Sequence, residues 1–330
     1  MAIFPQTAAM ILKEHKHRPI AGDVLLIGRQ TVLLTVETAQ ALMAREGVEV
    51  RDGSLTEIDR STVGAEQAQY ITDRTFFSMF CDAKVIALDV SDYEGAEIVH
   101  DLNAPLPAEH ERVADFIFNG SCLDNLFDPA TAMKSLSKML RPNGRIMHVE
   151  HGTPINGAYL CYSPEWFFSF YAANDYLDCQ TYVCTFGGAM SNRWRVYKWH
   201  PYRTRDGRLV PSHPSLAIGD FVNLVIAEKG AASSDTQTPI QGHYRLLQQD
   251  SVEPIYVDNY ERFRRSGRSL SFSATGLQEL QKWFDVKALI LNALGRCGLA
   301  LVKGGSWRYR LEWVSALRKR ELEPLGTLQG

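Results

Sequence analysis

The chain has 330 residues, of which 45% are hydrophobic and 22% are charged, and its formal net charge is −3. This length suffices for one large α/β domain with an extension, or for two domains. The small net charge gives no general attraction to nucleic acid. No apolar run approaches the roughly 20 residues that a membrane span needs, and the first residues lack a signal-peptide pattern, so we expect a cytoplasmic protein.

The six cysteines are scattered along the chain without a Cys-x-x-Cys pair. This usage is typical of reduced thiols in a cytosolic protein. A disulfide between Cys179 and Cys184 remains an open alternative, since the two residues lie close in sequence.

The N-terminal third predicts two helices and two strands before a polar connector. The first helix spans roughly Thr7 to His17 and is followed by a strand, Asp23 to Gly28. A second helix follows over Thr31 to Gly47, where Arg45 and Gly47 suit a helix end. Val48 to Asp52 is a candidate second strand, and Glu57 to Phe80 has a helical, partly polar pattern.

The central stretch alternates short apolar runs with a helix. Lys84 to Val90, Ala114 to Gly120 and Arg145 to Glu150 predict buried parallel strands, because they are short and rich in β-branched and aliphatic residues. The helix Pro129 to Leu140 separates the last two, with Asp128 as its N-cap. In such sheets ligands bind at the carboxyl ends of the strands.

The second half begins with a long loop, His151 to Trp166, which we interpret as an ordered lid. A buried aromatic helix starts after Ser163, its predicted N-cap. Three strands follow, at Cys179 to Phe186, Arg193 to His200 and Asp220 to Gly230, and residues 187–192 suggest a hairpin turn between the first two. In the tail, Ala274 to Gly298 and Trp307 to Glu323 predict helices.

Several of these segments carry recognisable motifs. They are VLLIG ending in Gly28, ALDV containing Asp89, HDL containing Asp101, the segment Asp115 to Val149 with its Leu-Arg-Pro-Asn-Gly turn, and the late strand NLVIAEKG. Over roughly residues 20 to 230 the chain resembles the class I S-adenosylmethionine-dependent methyltransferase family. The resemblance implies a Rossmann-like, doubly wound, mostly parallel seven-stranded sheet with an antiparallel last strand pair.

The implied domains are a methyltransferase-like domain over residues 1–230 and a mainly helical C-terminal extension over residues 231–330. The first contains the N-terminal helix (1–21) and the lid (151–166). The implied cofactor is S-adenosyl-L-methionine, which the family holds along the carboxyl ends of the strands. The positions that match this role are Gly28, Arg29, Gln30, Asp89, Val90, Asp101, Leu102, Asn119, Gly120 and Ser121.

In that family the acid that ends the second strand accepts the ribose hydroxyls, which here falls to Asp89. The Asp101-Leu102 loop matches the adenine contact, and the strand end at Asn119 matches the methionine portion. Asp89 as a turn cap and Asp101 as a solvated loop acid are the plain alternatives.

The first turn departs from the family pattern. Its glycine-rich motif, of the type Gly-x-Gly-x-Gly, is here reduced to Gly28 followed by Arg29 and Gln30. The missing glycines normally let the backbone approach the cofactor. Arg29 and Gln30 either fill that space or donate hydrogen bonds to the cofactor's carboxylate.

The candidate catalytic residue is His151, directly after the strand Arg145 to Glu150. A neutral histidine there suits a general base for O-methylation; Glu150 and Tyr159 are the other candidates. We predict no metal site, because side chains alternate along a strand and His148 and His151 point to opposite faces.

The sequence therefore favours an S-adenosylmethionine-dependent methyltransferase acting on oxygen of a small-molecule or carbohydrate-type acceptor. The alternative is a catalytically inactive relative that serves as a binding or scaffold subunit. An NAD enzyme is disfavoured, since no Gly-x-Gly-x-x-Gly follows the first strand. Arginines interleaved with aromatics in the tail permit nucleic-acid binding, but packing on the main domain is favoured. The C-terminal extension is a candidate surface for homo-oligomers.

Overall fold

A computed structural model describes residues 2–62, 69–153, 157–186, 193–199, 220–240, 254–266, 299–303, 309–313 and 322–329. Its α-helices are α1 (Pro5–His17), α2 (Val36–Glu46), α3 (Asp73–Ser78), α4 (Pro129–Met139), α5 (Pro164–Ala173) and α6 (Pro254–Arg265). Its strands are β1 (Ala2–Ile3), β2 (Gly22–Ile27), β3 (Thr31–Val32), β4 (Ala83–Asp89), β5 (Ile98–Val99), β6 (Ala114–Gly120), β7 (Leu140–His151), β8 (Asp178–Phe186), β9 (Arg193–Trp199), β10 (Asp220–Glu228), β11 (Leu299–Lys303), β12 (Tyr309–Trp313) and β13 (Leu322–Gln329).

The main sheet has the order β13-β9-β8-β10-β7-β6-β2-β4-β5. Neighbouring strands from β5 to β7 run parallel. Strand β10 is antiparallel to both β7 and β8, and β9 is antiparallel to β8. This arrangement confirms the Rossmann-like fold of class I methyltransferases. The described sheet is larger than the seven predicted strands, because β9 and β13 extend the edge beyond β8.

The strand order reverses at β2. From β2 the chain crosses to β4 and β5 on one side, and it then returns to place β6 and β7 on the other side. The crevice of an open α/β sheet lies at such a switch point, beside the carboxyl ends of the strands. The residues that follow β2, β4, β6 and β7 therefore define the place where a ligand can bind.

The apolar runs of the sequence form the buried core of the sheet. Val24 to Ile27 of β2 and Phe116 to Phe118 of β6 are almost fully buried. Helix α1 packs through its buried middle and ends near a buried ion pair between Glu14 and Arg145 of β7. The predicted helix Pro129 to Leu140 and strands Lys84 to Val90, Ala114 to Gly120 and Asp220 to Gly230 are confirmed within a few residues.

The predicted helix Thr31 to Gly47 begins later than expected, at Val36. Thr31 and Val32 instead form β3, which pairs in parallel with β1. Both residues are β-branched and suit a strand. Thr35 then starts the helix with a capping box in which its hydroxyl accepts from the Thr38 amide.

Two other predictions in this region are wrong. Val48 to Asp52 is not a strand, since it leads out of the helix end at Gly47 into a turn. In the described residues of the predicted helical connector Glu57 to Phe80, α3 is the helical segment, and Ile58 and Ile71 form an isolated antiparallel bridge.

The chain divides into two compact units. The larger comprises residues 1–201, 217–272 and 322–330, and the smaller comprises residues 202–216 and 273–321. The predicted division into residues 1–230 and 231–330 stays a prediction; α6 and β13, which follow residue 230, belong to the larger unit. Within the smaller unit, β11 and β12 form an antiparallel pair.

The predicted helix Trp307 to Glu323 is wrong where the chain is described. Residues Tyr309–Trp313 form β12, and β13 starts at Leu322. The sequence Tyr-Arg-Leu-Glu-Trp alternates apolar and polar residues with period two, which is the pattern of a strand. The predicted helix Ala274 to Gly298, the turn at 187–192 and the connector at 201–219 lie outside the described residues.

None of the helices in the described ranges is long and apolar enough to cross a membrane. Cys179 and Cys184 are both free thiols, as are the other cysteines in these ranges. The disulfide alternative is therefore not realised.

Candidate active site

The turn after β2 starts at Gly28. Its φ of 71° lies in the left-handed region, which favours glycine. The Gly28 amide donates to the Leu88 carbonyl of β4 at 2.7 Å. The chain then enters β3 directly, so the turn lies close against the carboxyl end of β4.

Arg29 is held inside the protein by acidic partners. Its side chain is 6% exposed, with Nη1 3.3 Å from Asp73 Oδ1 and Nη2 2.7 Å from Glu97 Oε1. Nη2 also donates to the Gly95 carbonyl at 3.1 Å. These contacts fix the guanidinium beneath the turn, so in this structure it is engaged by the protein rather than offered to a ligand.

Gln30 occupies the space between the ends of β2 and β6. Its Nε2 donates to the Ile27 and Gly28 carbonyls at 3.0 and 3.1 Å. A Cβ placed on Gly120 would lie only 2.5 Å from Gln30 Oε1. The same Oε1 is buried and has no hydrogen-bond partner among the described residues. The side chain thus presents an unsatisfied acceptor where β2 and β6 end.

Asp89 ends β4 and is half-buried. Its Oδ1 accepts from the Val90 amide at 2.7 Å. Within the described ranges, no residue of another element donates to this carboxylate. The Val90 side chain is 67% exposed, so the strand end is accessible to a ligand.

The Asp101-Leu102 loop follows β5. Asp101 Oδ1 accepts from the backbone and side-chain nitrogens of Asn103 at 2.9 and 2.8 Å, and these bonds lower the pKa of Asp101. Leu102 is 3% exposed. The loop is therefore a rigid Asx turn whose apolar residue packs inward and whose carboxylate faces solvent.

The end of β6 is a buried polar junction around Asn119. Its Nδ2 donates to Glu150 Oε1 at 2.6 Å and contacts His148 Nδ1 at 2.9 Å. Its Oδ1 accepts from the Cys122 amide at 3.1 Å. All hydrogen-bonding atoms of this side chain are used within the protein, so Asn119 shapes the end of β6.

His151 is oriented by Asp124 and Ser121. Its Nδ1 lies 2.6 Å from Asp124 Oδ2 and 2.8 Å from Ser121 Oγ, and the Ser121 hydroxyl donates to the same carboxylate oxygen. Because a carboxylate only accepts, Nδ1 carries the proton and Nε2 is the basic nitrogen. The His151 side chain is 23% exposed while that of Asp124 is 1% exposed.

Glu150 is fully buried next to this group. Its Oε1 accepts from Asn119 and from the Leu123 amide, the latter at 2.9 Å. Burial and the nearby Asp124 charge raise the pKa of Glu150 well above its usual value. The protonated form of this carboxyl group is therefore favoured, and because Glu150 has no exposed surface it is a weaker candidate base than His151.

His148 serves the same buried junction. Its Nε2 lies 2.6 Å from the Tyr171 hydroxyl, and burial lowers the pKa of His148 to about 3. With Asn119 donating to Nδ1, the ring is neutral and donates from Nε2. Across the described residues, no group of three His, Cys, Asp or Glu side chains is placed to hold a metal ion.

Tyr159 lies on the lid. Its amide donates to the Asp124 carbonyl at 2.7 Å, and its ring is 68% exposed. The ring meets Phe127 edge to face, with centroids 5.7 Å apart. Residues 154–156 of the lid lie outside the described ranges.

The structure brings the ends of β4, β6 and β7 to one edge of the sheet. Burial raises the pKa of the Cys122 thiol, which lies at this edge directly after Ser121. Sequence reasoning missed Asp124. The available signal was an acid three residues after Ser121, directly past a predicted strand end.

No protein-family model and no curated protein matches the sequence. Solved structures do match. The CMeT domain of the citrinin polyketide synthase is 12% identical with a TM-score of 0.33, over 70% of this chain and 52% of that chain. The chain thus spans about half of that protein's length.

Two smaller proteins match over most of their length. The N-methyltransferase NodS of Bradyrhizobium japonicum, solved with S-adenosyl-L-homocysteine, is 12% identical over 68% of this chain and 85% of that chain, with a TM-score of 0.31. The YcgJ protein of Bacillus subtilis is 11% identical over 68% of this chain and 97% of that chain, with a TM-score of 0.34. Because these TM-scores lie below 0.5, the function is argued from the residues of this chain.

Proposed function

We propose that this chain is an S-adenosyl-L-methionine-dependent methyltransferase that transfers a methyl group to a hydroxyl oxygen of a small-molecule or carbohydrate-type acceptor. One observation carries the proposal. At the switch point of the sheet, Asp89 offers a carboxylate that receives no hydrogen bond from another element among the described residues, while His151 offers a basic Nε2 held in place by Asp124.

The residues at this edge fit the chemistry of the cofactor. Asp89 suits the two ribose hydroxyls, since a carboxylate accepts several hydrogen bonds. The buried, unsatisfied Oε1 of Gln30 suits the cofactor's ammonium group, which donates up to three hydrogen bonds. S-adenosylmethionine, when bound, supplies an electrophilic methyl group on a positively charged sulfur. The carboxylates of Asp89 and Asp124 favour a positive charge at this edge.

The protein's contribution to catalysis is positioning and proton transfer. Nε2 of His151 accepts the proton of the acceptor hydroxyl as the oxygen becomes a nucleophile. Asp124 fixes the Nδ1 tautomer and stabilises the imidazolium that forms, as a carboxylate does for a histidine base. Glu150 has no exposed surface, so the proton is assigned to His151. Asp124 is thus a positioning residue, and His151 is the catalytic residue.

The scaffold alternative draws on a specific observation as well. Arg29 is bound by Asp73 and Glu97, and Gln30 takes the space beside Gly120. If these side chains exclude the cofactor, the fold serves binding alone. Assembly through the C-terminal extension belongs to this alternative too, and it stays a prediction.

Thermal unfolding with added ligands separates these functions. A ligand that binds only the folded state at about 100 times its dissociation constant adds about 2.7 kcal/mol of stability, which raises the melting temperature by several degrees. We expect S-adenosyl-L-homocysteine to give this shift and NAD⁺ to give none. If neither S-adenosyl-L-homocysteine nor S-adenosyl-L-methionine raises the melting temperature, the scaffold function is favoured. A rise with NAD⁺ alone would favour a dehydrogenase.

A further inference from the structure

Two exposed aromatic side chains form a pair on the loops that follow β6 and β7. Phe127 is 85% exposed and Tyr159 is 68% exposed. Their rings meet edge to face at 5.7 Å, with an interplanar angle of 74°. Aromatic pairs of this geometry accept a further ring on their free faces. Large apolar side chains on a protein surface are individually ordinary, but a fixed pair at a catalytic edge is informative.

Backbone hydrogen bonds anchor the two loops that carry these rings. The amides of Tyr159 and Leu160 donate to the Asp124 carbonyl at 2.7 and 3.2 Å. Phe127 comes three residues after Asp124, and its own amide donates to Asn103 Oδ1 at 3.0 Å. Since Asp124 also holds His151, one residue links the candidate base to the backbone of the loop that carries Tyr159.

Phe127 does not pack where its position predicts. It directly precedes Asp128, the N-cap of α4. A hydrophobic residue at that position commonly packs against the first turns of its helix. Here the ring stays in solvent and turns to Tyr159 on the lid. The helix therefore does not explain why an apolar residue is exposed at this place.

The negative charge of this edge and the need of the histidine base for an acidic hydroxyl favour some ring-bearing ligands over others. Asp89 and Asp124 give this edge negative charge, which disfavours carboxylates, phosphates and sulfated glycans. A histidine base removes a proton most readily from a hydroxyl of modest acidity. A phenol, with a pKa of about 10 as in tyrosine, meets that need better than an aliphatic or sugar hydroxyl.

We propose that the acceptor is an uncharged aromatic hydroxyl compound whose ring lies on the Phe127 and Tyr159 side chains and whose oxygen faces Nε2 of His151. This assignment rests on the proposed methyl transfer. The phenolic oxygen forms the new O–C bond as the S–C bond of the sulfonium breaks and its electron pair stays on sulfur. The phenolic proton moves to Nε2, leaving S-adenosyl-L-homocysteine and the methyl ether.

The test compares three probes on the full chain by calorimetry, with S-adenosyl-L-homocysteine present. They are 2-naphthol, its saturated analogue decahydro-2-naphthol, and the anion 2-naphthoate. We expect 2-naphthol to bind at least about tenfold more tightly than either of the others, and Phe127→Ala and Tyr159→Ala each to weaken it about tenfold, which corresponds to the upper range of an aromatic pair.

Leu177→Ala is the matched control. Leu177 is 45% exposed and precedes β8, at the opposite edge of the sheet, so its loss should leave 2-naphthol binding unchanged. Equal binding of decahydro-2-naphthol, or unchanged binding in both aromatic variants, would overturn the acceptor assignment. Binding of S-adenosyl-L-homocysteine without any binding of 2-naphthol would also overturn it while leaving the methyltransferase function intact. If 2-naphthol binds and both aromatic variants weaken it, but S-adenosyl-L-homocysteine does not bind, the aromatic site is supported and the methyltransferase function is contradicted.

Discussion

At the scale of single residues, Gln30 decides how this site differs from the family pattern. Its Nε2 satisfies the carbonyls of Ile27 and Gly28, and its Oε1 is a buried acceptor beside Gly120. Leaving such an acceptor unmatched costs about 1–3 kcal/mol. A cofactor ammonium group would supply the missing donor, so we interpret Gln30 as a replacement for a glycine-lined subsite.

Substituting Gln30 by methionine tests this interpretation. Methionine retains the volume but removes both the donor and the acceptor. We expect S-adenosyl-L-homocysteine to bind about tenfold more weakly, since one hydrogen bond to a charged group is worth about 1.5–3 kcal/mol. The measurement is a calorimetric titration, with denaturant unfolding to record the accompanying loss of stability.

Gln180→Met provides the control for that loss. Gln180 is 1% exposed, lies near the amino end of β8, and also has an unsatisfied Oε1. The Gln180→Met variant should lose stability without a change in its affinity for S-adenosyl-L-homocysteine. Tighter cofactor binding in Gln30→Met would show that the glutamine obstructs the site.

The sequence could single out Asp89 and His151 because each lies at the end of a recognisable strand, and their roles stay predictions. It could not reveal that Asp124 orients His151, since that contact depends on the left-handed turn at Ser121. It also could not decide between the two roles considered for Arg29. That choice depends on Asp73 and Glu97, which are distant in sequence.

At the scale of elements, the pairing of β7 with β10 buries Glu150 opposite Asn223. Neither Glu150 Oε2 nor Asn223 Oδ1 has a hydrogen-bond partner among the described residues. Burial raises the pKa of Glu150 in the folded state. The fold therefore favours the protonated form of this carboxyl group more than the unfolded chain does.

Glu150→Gln should stabilise the protein at pH 7. The folded pKa lies above the unfolded value, so the stability that neutral Glu150 contributes is present below about pH 4.3 and is lost as pH rises through the folded pKa. Glutamine keeps the acceptor for Asn119 and has no charge to bury. We expect a gain of about 1–3 kcal/mol at pH 7, shrinking toward pH 4, measured by denaturant unfolding at several pH values.

Glu14→Gln is the matched contrast, because Glu14 is equally buried but paired with Arg145. Breaking that pair should destabilise the protein at pH 7. A Glu150→Gln variant that is less stable than the natural protein at pH 7, or whose gain does not depend on pH, would contradict the neutral state of Glu150.

The elements also show where pattern reasoning works. Long, strongly apolar strands such as β6 and β10 were predicted closely, because burial on both faces dictates their composition. Val48 to Asp52 has strand composition but follows a helix cap, and local turn geometry prevails. Apolar and polar residues alternate along Tyr309–Trp313 with a period of two, and this segment forms a strand rather than the predicted helix.

At the scale of the whole molecule, the order of strands creates the site. The reversal between β2 and its neighbours opens a crevice at the carboxyl edge, and loops from β4, β6 and β7 bring Asp89, Asp124 and His151 to it. A sequence pattern predicts which strands exist. The hairpin signal places β9 beside β8, but the sequence does not predict that β13 pairs with β9, because that pairing joins distant parts of the chain.

The most direct test of the account is the affinity of S-adenosyl-L-homocysteine for the natural protein, for Asp89→Ala and for Asp82→Ala. Asp82 immediately precedes β4 and its side chain is 96% exposed, so it places the same charge change at the opposite end of the strand. Loss of two charge-assisted hydrogen bonds to the ribose should weaken binding about 100-fold or more in Asp89→Ala, with Asp82→Ala unchanged. Equal affinity in all three proteins, or no binding to the folded natural protein, would contradict a cofactor site at the end of β4.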